Sequence, residues 1–489
     1  MATPLYVHLL HISLRQLDWC NVARVTIDMI PDVALLEIFD FYVGEDSIYY
    51  VNKEQINAWH TLVHVCQKWR NTVFGSPLRL NLQLYCRHGT PVRKTLSVWP
   101  PFPIVIEAFG NETWGVDNIV AALEHSNRIC RLQLITFTSS QFEILWGAMS
   151  QQPFPALTDL NIQKNDDETA PVIPASFLSG SAPRLRRFRL FRVPFPGLPK
   201  LLLSTTHLVD LTLAGIPHSG YISPEAMVTC LFALTRLESL FLKFQSPRSR
   251  PHPRSRRPPP QIRTPLPVLT KLVFIGVSEY LEDLVALIDA PLLDKMNVLV
   301  FHQLIFDTLH LTGLISRTPK FKAHDEARIV FSGWDASVKL PRAPGGELSW
   351  GVSCRQTDWQ LSSLAQACSS TFPQPLISTV EHLHLYTSLR KPDLQDDIEI
   401  SQWLELLHSF PAVKNLYITR EIAPFIAPTL KEFAVGRVAE VLPALQTLFL
   451  ENEDHNEPPL SGAVQDMIGQ FVTARQLERS RWKTKVVYG

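Results

Sequence analysis

The chain has 489 residues, 46% of them hydrophobic, enough to bury a large core and to form more than one domain or one extended repeat array. Lysine plus arginine equals aspartate plus glutamate at 46 each, so no global field steers the protein to nucleic acid or acidic membranes, and any charged contact is local. Seven cysteines, widely spaced and without a Cys-x-x-Cys pair, argue against a disulfide framework or a zinc module and fit a reducing intracellular compartment, cytoplasmic or nuclear.

Residues 1–27 form an N-terminal segment. Leu5 to Leu14 is apolar but contains His8 and His11 and lacks a basic leader, so it reads as packing surface, not a secretory signal. A helix then starts near Pro31, whose missing N–H costs nothing in the first turn and whose neighbour Asp32 complements the helix dipole. Leu35, Leu36, Ile38, Phe39 and Tyr42 give it an apolar stripe, while Glu37 and Asp40 stay polar. Gly44-Glu45-Asp46 breaks the pattern. A second helical series runs through Trp59, Leu62, Val63, Cys66, Trp69 and Val73 before Gly75-Ser76-Pro77 stops it. Two aromatic-rich stripes in so few residues enclose little core, which predicts a partner or a following domain over the remainder.

The order Ile30-Pro31-Asp32, Leu35-Leu36-Glu37-Ile38-Phe39 and Val65-Cys66-x-x-Trp69-Arg70 resembles the F-box, the helical module that docks on the Skp adaptor of cullin-RING ubiquitin ligases. Ser76-Pro77-Leu78-Arg79-Leu80 is similar to F-box proteins of mushroom-forming fungi. The resemblance covers residues 28–77 and implies adaptor-facing positions at Pro31, Leu35, Leu36, Ile38, Phe39, Leu62, Val65, Cys66 and Trp69. Two departures are Ile30, where the family usually has leucine, and the stretch Glu45 to Asn57, longer than its usual connection.

The rest of the chain, residues 78–480, repeats one phrase: proline, one residue, then apolar-x-x-apolar-x-apolar. Copies start at Pro155, Pro183, Pro267, Pro291, Pro411 and Pro443. Versions without the proline sit at Ile129-Leu132-Leu134, Leu208-Leu211-Leu213, Leu237-Leu240-Leu242, Val380-Leu383-Leu385 and Leu430-Phe433-Val435. The central apolar residues Leu132, Leu160, Phe188, Leu211, Leu240, Leu272 and Met296 are 28, 28, 23, 29, 32 and 24 residues apart, the spacing of leucine-rich repeats. Proline ends a helix and a short strand follows, so each unit reads helix, proline, strand. Helices are expected at Ser140 to Met149, after Ser223-Pro224-Glu225, at Ser278 to Asp289 and at Ser401 to Phe410. The predicted fold is α/β, an irregular leucine-rich-repeat solenoid behind an F-box-like helical module. It resembles the repeat segment that often follows an F-box. Ala323 to Thr379 shows no clean copy and reads as an insertion or a break; Phe331 to Trp350 reads as a strand with a Pro-Gly-Gly turn. Val298 to Ile315, the most apolar run, is interrupted by His302, Asp307 and His310 and reads as buried strand and helix, not as a membrane span. Residues 481–489 are a C-terminal tail.

Residues flanking each central apolar position point away from the core and line the concave face. Among these, Arg187, Arg189, Asp210, Phe241, His382, His384, Tyr417 and Phe449 are candidates for holding a protein substrate, because aromatic anchors and arginines dominate protein interfaces. His382-Leu383-His384 offers two ligands on one face but no further Cys or His cluster, so no metal site is expected. Ser246 to Pro267 holds six arginines and eight prolines and reads as an extended, disordered loop. Arg254-Ser255-Arg256-Arg257 within it could serve nuclear import, phosphorylation or phosphate contact, or be a solvated insertion. The sequence contains no Gly-x-Ser-x-Gly, His-Glu-x-x-His, Walker loop or Gly-x-Gly-x-x-Gly. The expectation is therefore a non-enzymatic protein without cofactor: the substrate-recognition subunit of an SCF-type ligase, bound to a Skp-type adaptor and through it to a cullin. The alternative is a repeat-based interaction scaffold that does not assemble into a ligase.

Overall fold

A computed structural model describes residues 29–43, 62–75, 82–84, 86–89, 91–98, 101–110, 115–165, 171–247, 263–301, 308–322, 324–341, 346–354, 357–387, 400–435, 441–451, 460–478 and 485–488. The segment Glu45 to Asn57 and the arginine cluster at 254–257 lie outside these residues. The chain divides into two compact units, Met1–Gln83 with Trp99–Val105, and Leu84–Val98 with Ile106–Gly489.

In the first unit, a helix spans Asp32–Val43 and a second spans Gln67–Gly75. Pro31 directly precedes the first, and its carbonyl accepts the N–H of Leu35 at 3.0 Å. The second apolar series is not one continuous helix. Leu62 and Val63 are helical, His64 and Val65 turn, and a new helix begins after Cys66. Cys66 supplies that helix with two acceptors: its sulfur takes the N–H of Trp69 at 3.4 Å and its carbonyl that of Arg70 at 3.1 Å. Apolar periodicity stays in phase across such a break and does not register it.

The strands are β1 (Leu82–Leu84), β2 (Ile104–Phe109), β3 (Ile129–Ile135), β4 (Asp159–Gln163), β5 (Arg187–Phe191), β6 (Asp210–Ile216), β7 (Ser239–Phe244), β8 (Thr264–Pro265), β9 (Lys271–Gly276), β10 (Ile288–Asp289), β11 (Lys295–Phe301), β12 (Glu326–Phe331), β13 (Ala336–Leu340), β14 (Glu347–Ser353), β15 (His382–Thr387), β16 (Asn415–Thr419), β17 (Thr447–Glu451) and β18 (Lys485–Tyr488), and from β3 onward all lie in the second unit. All but β8 and β10 join one sheet, in the order β1-β2-β3-β4-β5-β6-β7-β9-β11-β14-β13-β12-β15-β16-β17-β18. The parallel pairs match repeat to repeat without slippage at the central apolar position. Leu132, Leu160, Phe188, Leu211, Leu240, Leu272 and Met296 are successive partners, and so are Leu383, Leu416 and Leu448. All of these are buried, each worth roughly 1.5–3 kcal/mol of transfer free energy.

The proline mark has a specific geometric role. Its preceding residue offers a carbonyl to the N–H of the first apolar residue of the phrase. The pairs Leu157 to Phe154, Leu185 to Ala182, Leu269 to Leu266, Leu293 to Ala290, Val413 to Phe410 and Leu445 to Leu442 all form this bond, at 2.9–3.4 Å. Proline thus occupies the second position of a four-residue turn, where its fixed φ is pre-set. Three of the copies lacking proline make the same bond, Leu208 to Thr205, Leu237 to Leu234 and Val380 to Ile377, whereas Leu430 and Phe433 lie within the helix Ala423–Phe433 and are not a strand copy. The mark sets up a turn as well as ending a helix.

The helices arrive as expected with small shifts: Ser139–Ser150, Pro224–Ala233, Ser278–Leu287 and Ile400–His408. Thr138 and Gln141 form a reciprocal capping box, and Ser223 caps the helix whose first residue is Pro224. Ser278 is not a cap; it is buried inside its helix, and Val277 occupies the capping position. A buried carboxylate links neighbouring repeats: Glu282 accepts the N–H groups of His310 and Leu311, both at 2.8 Å, at the start of the helix Leu309–Arg317. That helix, Thr308 before it and β11 account for the described residues of the run Val298 to Ile315, and among the described residues no helix is long and apolar enough to cross a membrane.

Three expectations are corrected. Residues 481–489 are not only a tail: Lys485–Tyr488 pairs in parallel with β17 and extends the sheet beyond residue 480. Residues 323–379 do not break the array. β12, β13 and β14 form an antiparallel meander whose outer strands run parallel to β15 and β11, so the sheet continues through it. Its sequence lacks the phrase because antiparallel neighbours need no crossover helix: β12 and β13 are joined by a turn in which the Ser332 N–H donates to the Asp335 carbonyl at 2.8 Å. The third correction concerns the end of the proline-arginine loop. Thr264 and Pro265 pair in parallel with Ile288 and Asp289, and Leu266 is buried with its N–H on the Asp289 carbonyl at 2.7 Å, so the loop ends before residue 264, not at 267.

We expect Glu282→Ala to leave two amides at a buried helix start without their acceptor, at a cost of about 1–3 kcal/mol; hydrogen exchange at Leu311 should accelerate at least tenfold. Gly110 donates to the Ile135 carbonyl at 2.7 Å, and a Cβ there would sit 2.1 Å from the Thr136 carbonyl oxygen. Gly110→Ala should therefore lower the thermal midpoint, measurable by scanning calorimetry of the whole chain.

Candidate binding surfaces

The helical module gathers most of its motif residues into one cluster. Leu35, Leu36, Phe39, Leu62 and Val73 are buried together, with Ile30, Val63 and Trp69 packed against them. The Phe39 and Trp69 rings lie 4.7 Å apart at 60°. Two polar stitches hold the helices: Lys68 Nζ donates to the Ile30 carbonyl at 2.7 Å, and Thr72 Oγ1 donates to Asp32 Oδ1 at 3.2 Å. Of the nine positions singled out as adaptor-facing, Leu35, Leu36, Phe39 and Leu62 are inside this cluster, Cys66 and Trp69 are half-buried, and Pro31, Ile38 and Val65 are exposed. Helical geometry puts Val33, Ala34, Glu37 and Ile38 on one outward stripe of the first helix, all exposed. Val33 and Ile38 are 70% and 51% exposed, which leaves branched aliphatic side chains in water on a small module.

The open face of the sheet separates into two chemical halves. On β4–β6, charges alternate across strands and meet each other. Arg187 Nε pairs with Asp159 Oδ1, Arg189 Nη2 with Asp210 Oδ2 at 2.9 Å, and Thr212 Oγ1 donates to Asp210 Oδ1 at 3.1 Å. Arg131, opposite Asp159, extends the alternation toward Glu107, whose carboxyl is raised by burial and pulled back by the Arg131 charge. Arg187, Arg189 and Asp210 are therefore brought together, Arg189 paired with Asp210 and Arg187 with Asp159 while standing opposite Asp210 in register. Phe241 stands half-buried between Thr212 and Val273 on adjacent strands, apart from the other aromatic candidates.

On β15–β17 the same face carries rings. His384, Tyr417 and Phe449 are paired in register and stack, with His384 and Tyr417 at 4.0 Å and 2°, and Tyr417 and Phe449 at 4.4 Å and 6°. His382 accepts from Asn415 Nδ2 at 3.3 Å, with the Tyr417 hydroxyl 3.5 Å from the same nitrogen. Glu326 and Arg328 of β12 pair with each other, and Glu326 also lies 3.7 Å from His384 Nε2. Burial lowers the His384 imidazole below the usual histidine value, with Glu326 opposing; burial also raises Tyr417, helped by Glu451 and Glu326. The sequence reading missed Glu326 and Arg328. Their alternation with buried Ala327 and Ile329 is the signal, hidden because the repeat phrase is absent there.

The histidine pair does not gather a third ligand; among the described residues no group of three metal-ligating side chains is assembled. The described cysteines form no disulfide, and burial pushes the Cys130 and Cys230 thiols to about 11, so both stay protonated at neutral pH.

In-register parallel strands, connected through turns and helices at spacings of 23–32 residues, define a mixed α/β repeat array of the leucine-rich-repeat type. No family model matches the sequence, and no curated protein matches it. Among solved structures the chain is similar to the leucine-rich-repeat-containing protein LegL7 from Legionella pneumophila, at 13% identity and a TM-score of 0.28, covering 80% of this chain and 97% of that one. It is also similar to TLR13 in a TLR13–ssRNA13 complex, at 13% identity and a TM-score of 0.30, covering 74% of this chain and 44% of that one.

His384 supplies a pH test. Its value in the folded chain is below its unfolded value, so the unfolded state binds the extra proton and acid favours unfolding. Stability is expected to fall as pH drops through about 6.5, and His384→Phe should flatten that slope in thermal melts between neutral and mildly acidic buffer.

Proposed function

We propose that this chain is a non-catalytic substrate-recognition subunit of an SCF-type cullin-RING ubiquitin ligase. The helical module would dock on a Skp-type adaptor and the repeat array would hold a protein substrate. The observation that carries the reading is the arrangement around the Pro31-to-Trp69 motif. Leu36 and Trp69, distant in sequence, share one cluster, and the helix they support turns Val33 and Ile38 outward with Val65 also exposed. A small helical module with a formed core and an apolar outer stripe is suited to being covered by another chain. The role requires no nucleophile or metal here, because a recognition subunit accelerates transfer by proximity, making an encounter effectively intramolecular.

The burial pattern revises which residues test this. Leu36→Ala and Trp69→Ala would disturb the module's own packing. Ile38→Asp with Val65→Asp changes exposed positions and should leave the fold intact. We expect the wild-type chain to co-purify with a co-expressed Skp-type adaptor and the double variant to lose that association by at least tenfold, with about 2 kcal/mol for each central anchor. Unchanged co-purification of the double variant, or no association of the wild type, would leave the scaffold reading in its place.

A further inference from the structure

We infer that the array takes its partner on the β15–β17 part of the open face. The partner there is an extended, uncharged protein segment whose alternate side chains are aromatic or aliphatic, laid across the His384–Tyr417–Phe449 stack. The inference deepens the proposed function and rests on its reading of the open face as a protein-binding surface.

Charge decides the class of partner. On β4–β6, Arg187 is met by Asp159 and Arg189 by Asp210, so a charged segment arriving there would have to displace contacts the face already makes. At the other end, Arg328 and His384 share Glu326, and Lys414 Nζ meets Glu381 Oε1 at 2.6 Å. Arg328, His384 and Lys414 thus each have a carboxylate beside them, and burial favours the neutral form of His384. A neutral segment disturbs none of these pairs.

Geometry decides its form. Rings stacked at 4.0 and 4.4 Å, nearly coplanar in orientation, leave no gap for intercalation and turn their edges outward. Ring edges carry positive potential, so they suit the faces of other aromatic rings and the oxygens of peptide carbonyls. The stack is somewhat longer than the ~7 Å between alternate side chains of an extended chain, so one such pair covers most of it. His384, Tyr417 and Phe449 are all half-buried, held in register by their strands, and therefore lose little freedom on binding.

The test uses the full chain and synthetic seven-residue peptides in three sets. Two alternate positions carry Phe, Trp or Leu in the first set, Asp or Glu in the second, and Lys or Arg in the third, all on a Ser/Asn background. Fluorescence anisotropy should show binding of the first set at least tenfold tighter than either charged set. Tyr417→Ala with Phe449→Ala should weaken it at least tenfold, whereas Phe232→Ala, on an exposed helix position, should not. Tyr417→Phe, which keeps the ring, should retain binding and guards against loss through misfolding. Preference for a charged set, no binding of the first set, or indifference to the double substitution overturns the inference. Adaptor co-purification of the same variants is scored in parallel: intact adaptor binding with failed peptide binding removes this inference alone, and the reverse removes the ligase reading alone.

Discussion

The bond from the N–H of a repeat's first apolar residue to the carbonyl three residues before it, made at Leu157, Leu185, Leu208, Leu237, Leu269, Leu293, Val380, Val413 and Leu445, is the constraint on which the rest of the array depends. It sets the angle at which the chain enters each strand. Entry then fixes which residues of the strand face the helices. In the strand pairs on either side of the meander the next step is the same: one carbonyl at the strand start receives two N–H groups from the following repeat, as Thr158 does from Arg186 and Arg187 and Glu381 from Lys414 and Asn415. With both bonds made, a slip of one residue would turn Leu160 or Leu211 into water and lose roughly 1.5–3 kcal/mol for each. Register at the central position is accordingly held from β3 through β11 and again from β15 through β17.

That register has a chemical consequence on the open face. Since every strand presents the same two positions outward, residue types chosen repeat by repeat become rows across the sheet. One row alternates Arg131, Asp159, Arg187 and Asp210, which neutralises itself by proximity. Another brings His384, Tyr417 and Phe449 into a stack, whose order comes from the strands beneath and not from the rings' own weak attraction. Rows of this kind make the open face of the sheet a patterned surface.

Most of the array was legible in the sequence because its signals are local. Pro155-Ala156-Leu157 announces a turn, Ser223-Pro224-Glu225 announces a capped helix, and the 23–32-residue spacing announces stacking. What escaped were features that local chemistry leaves open. The meander of β12–β14 carries strand periodicity and a Pro-Gly-Gly turn signal, but neither tells which outer strand meets β11 and which meets β15, so its pairing could not be read. The break at Cys66 keeps the apolar phase of a continuous helix. Thr264 to Leu266 looked like the end of a polar excursion, yet it packs because Ile288 and Asp289 offer a strand edge.

The face residues show the same division. Sequence by itself determined which residues point outward, since alternation along a strand is an intrinsic property of the extended backbone. It also determined the repeat class and the amphipathic character of the N-terminal helices. Only the tertiary structure decided that Arg187 and Asp210 belong to one charged row with Arg189 of the next row paired to Asp210, that His384, Tyr417 and Phe449 form one stack, and that Leu35, Leu36 and Phe39 are core while Ile38 and Val65 are surface. Those outcomes depend on distances between residues tens of positions apart, and such distances are fixed by packing and register, which no local propensity encodes.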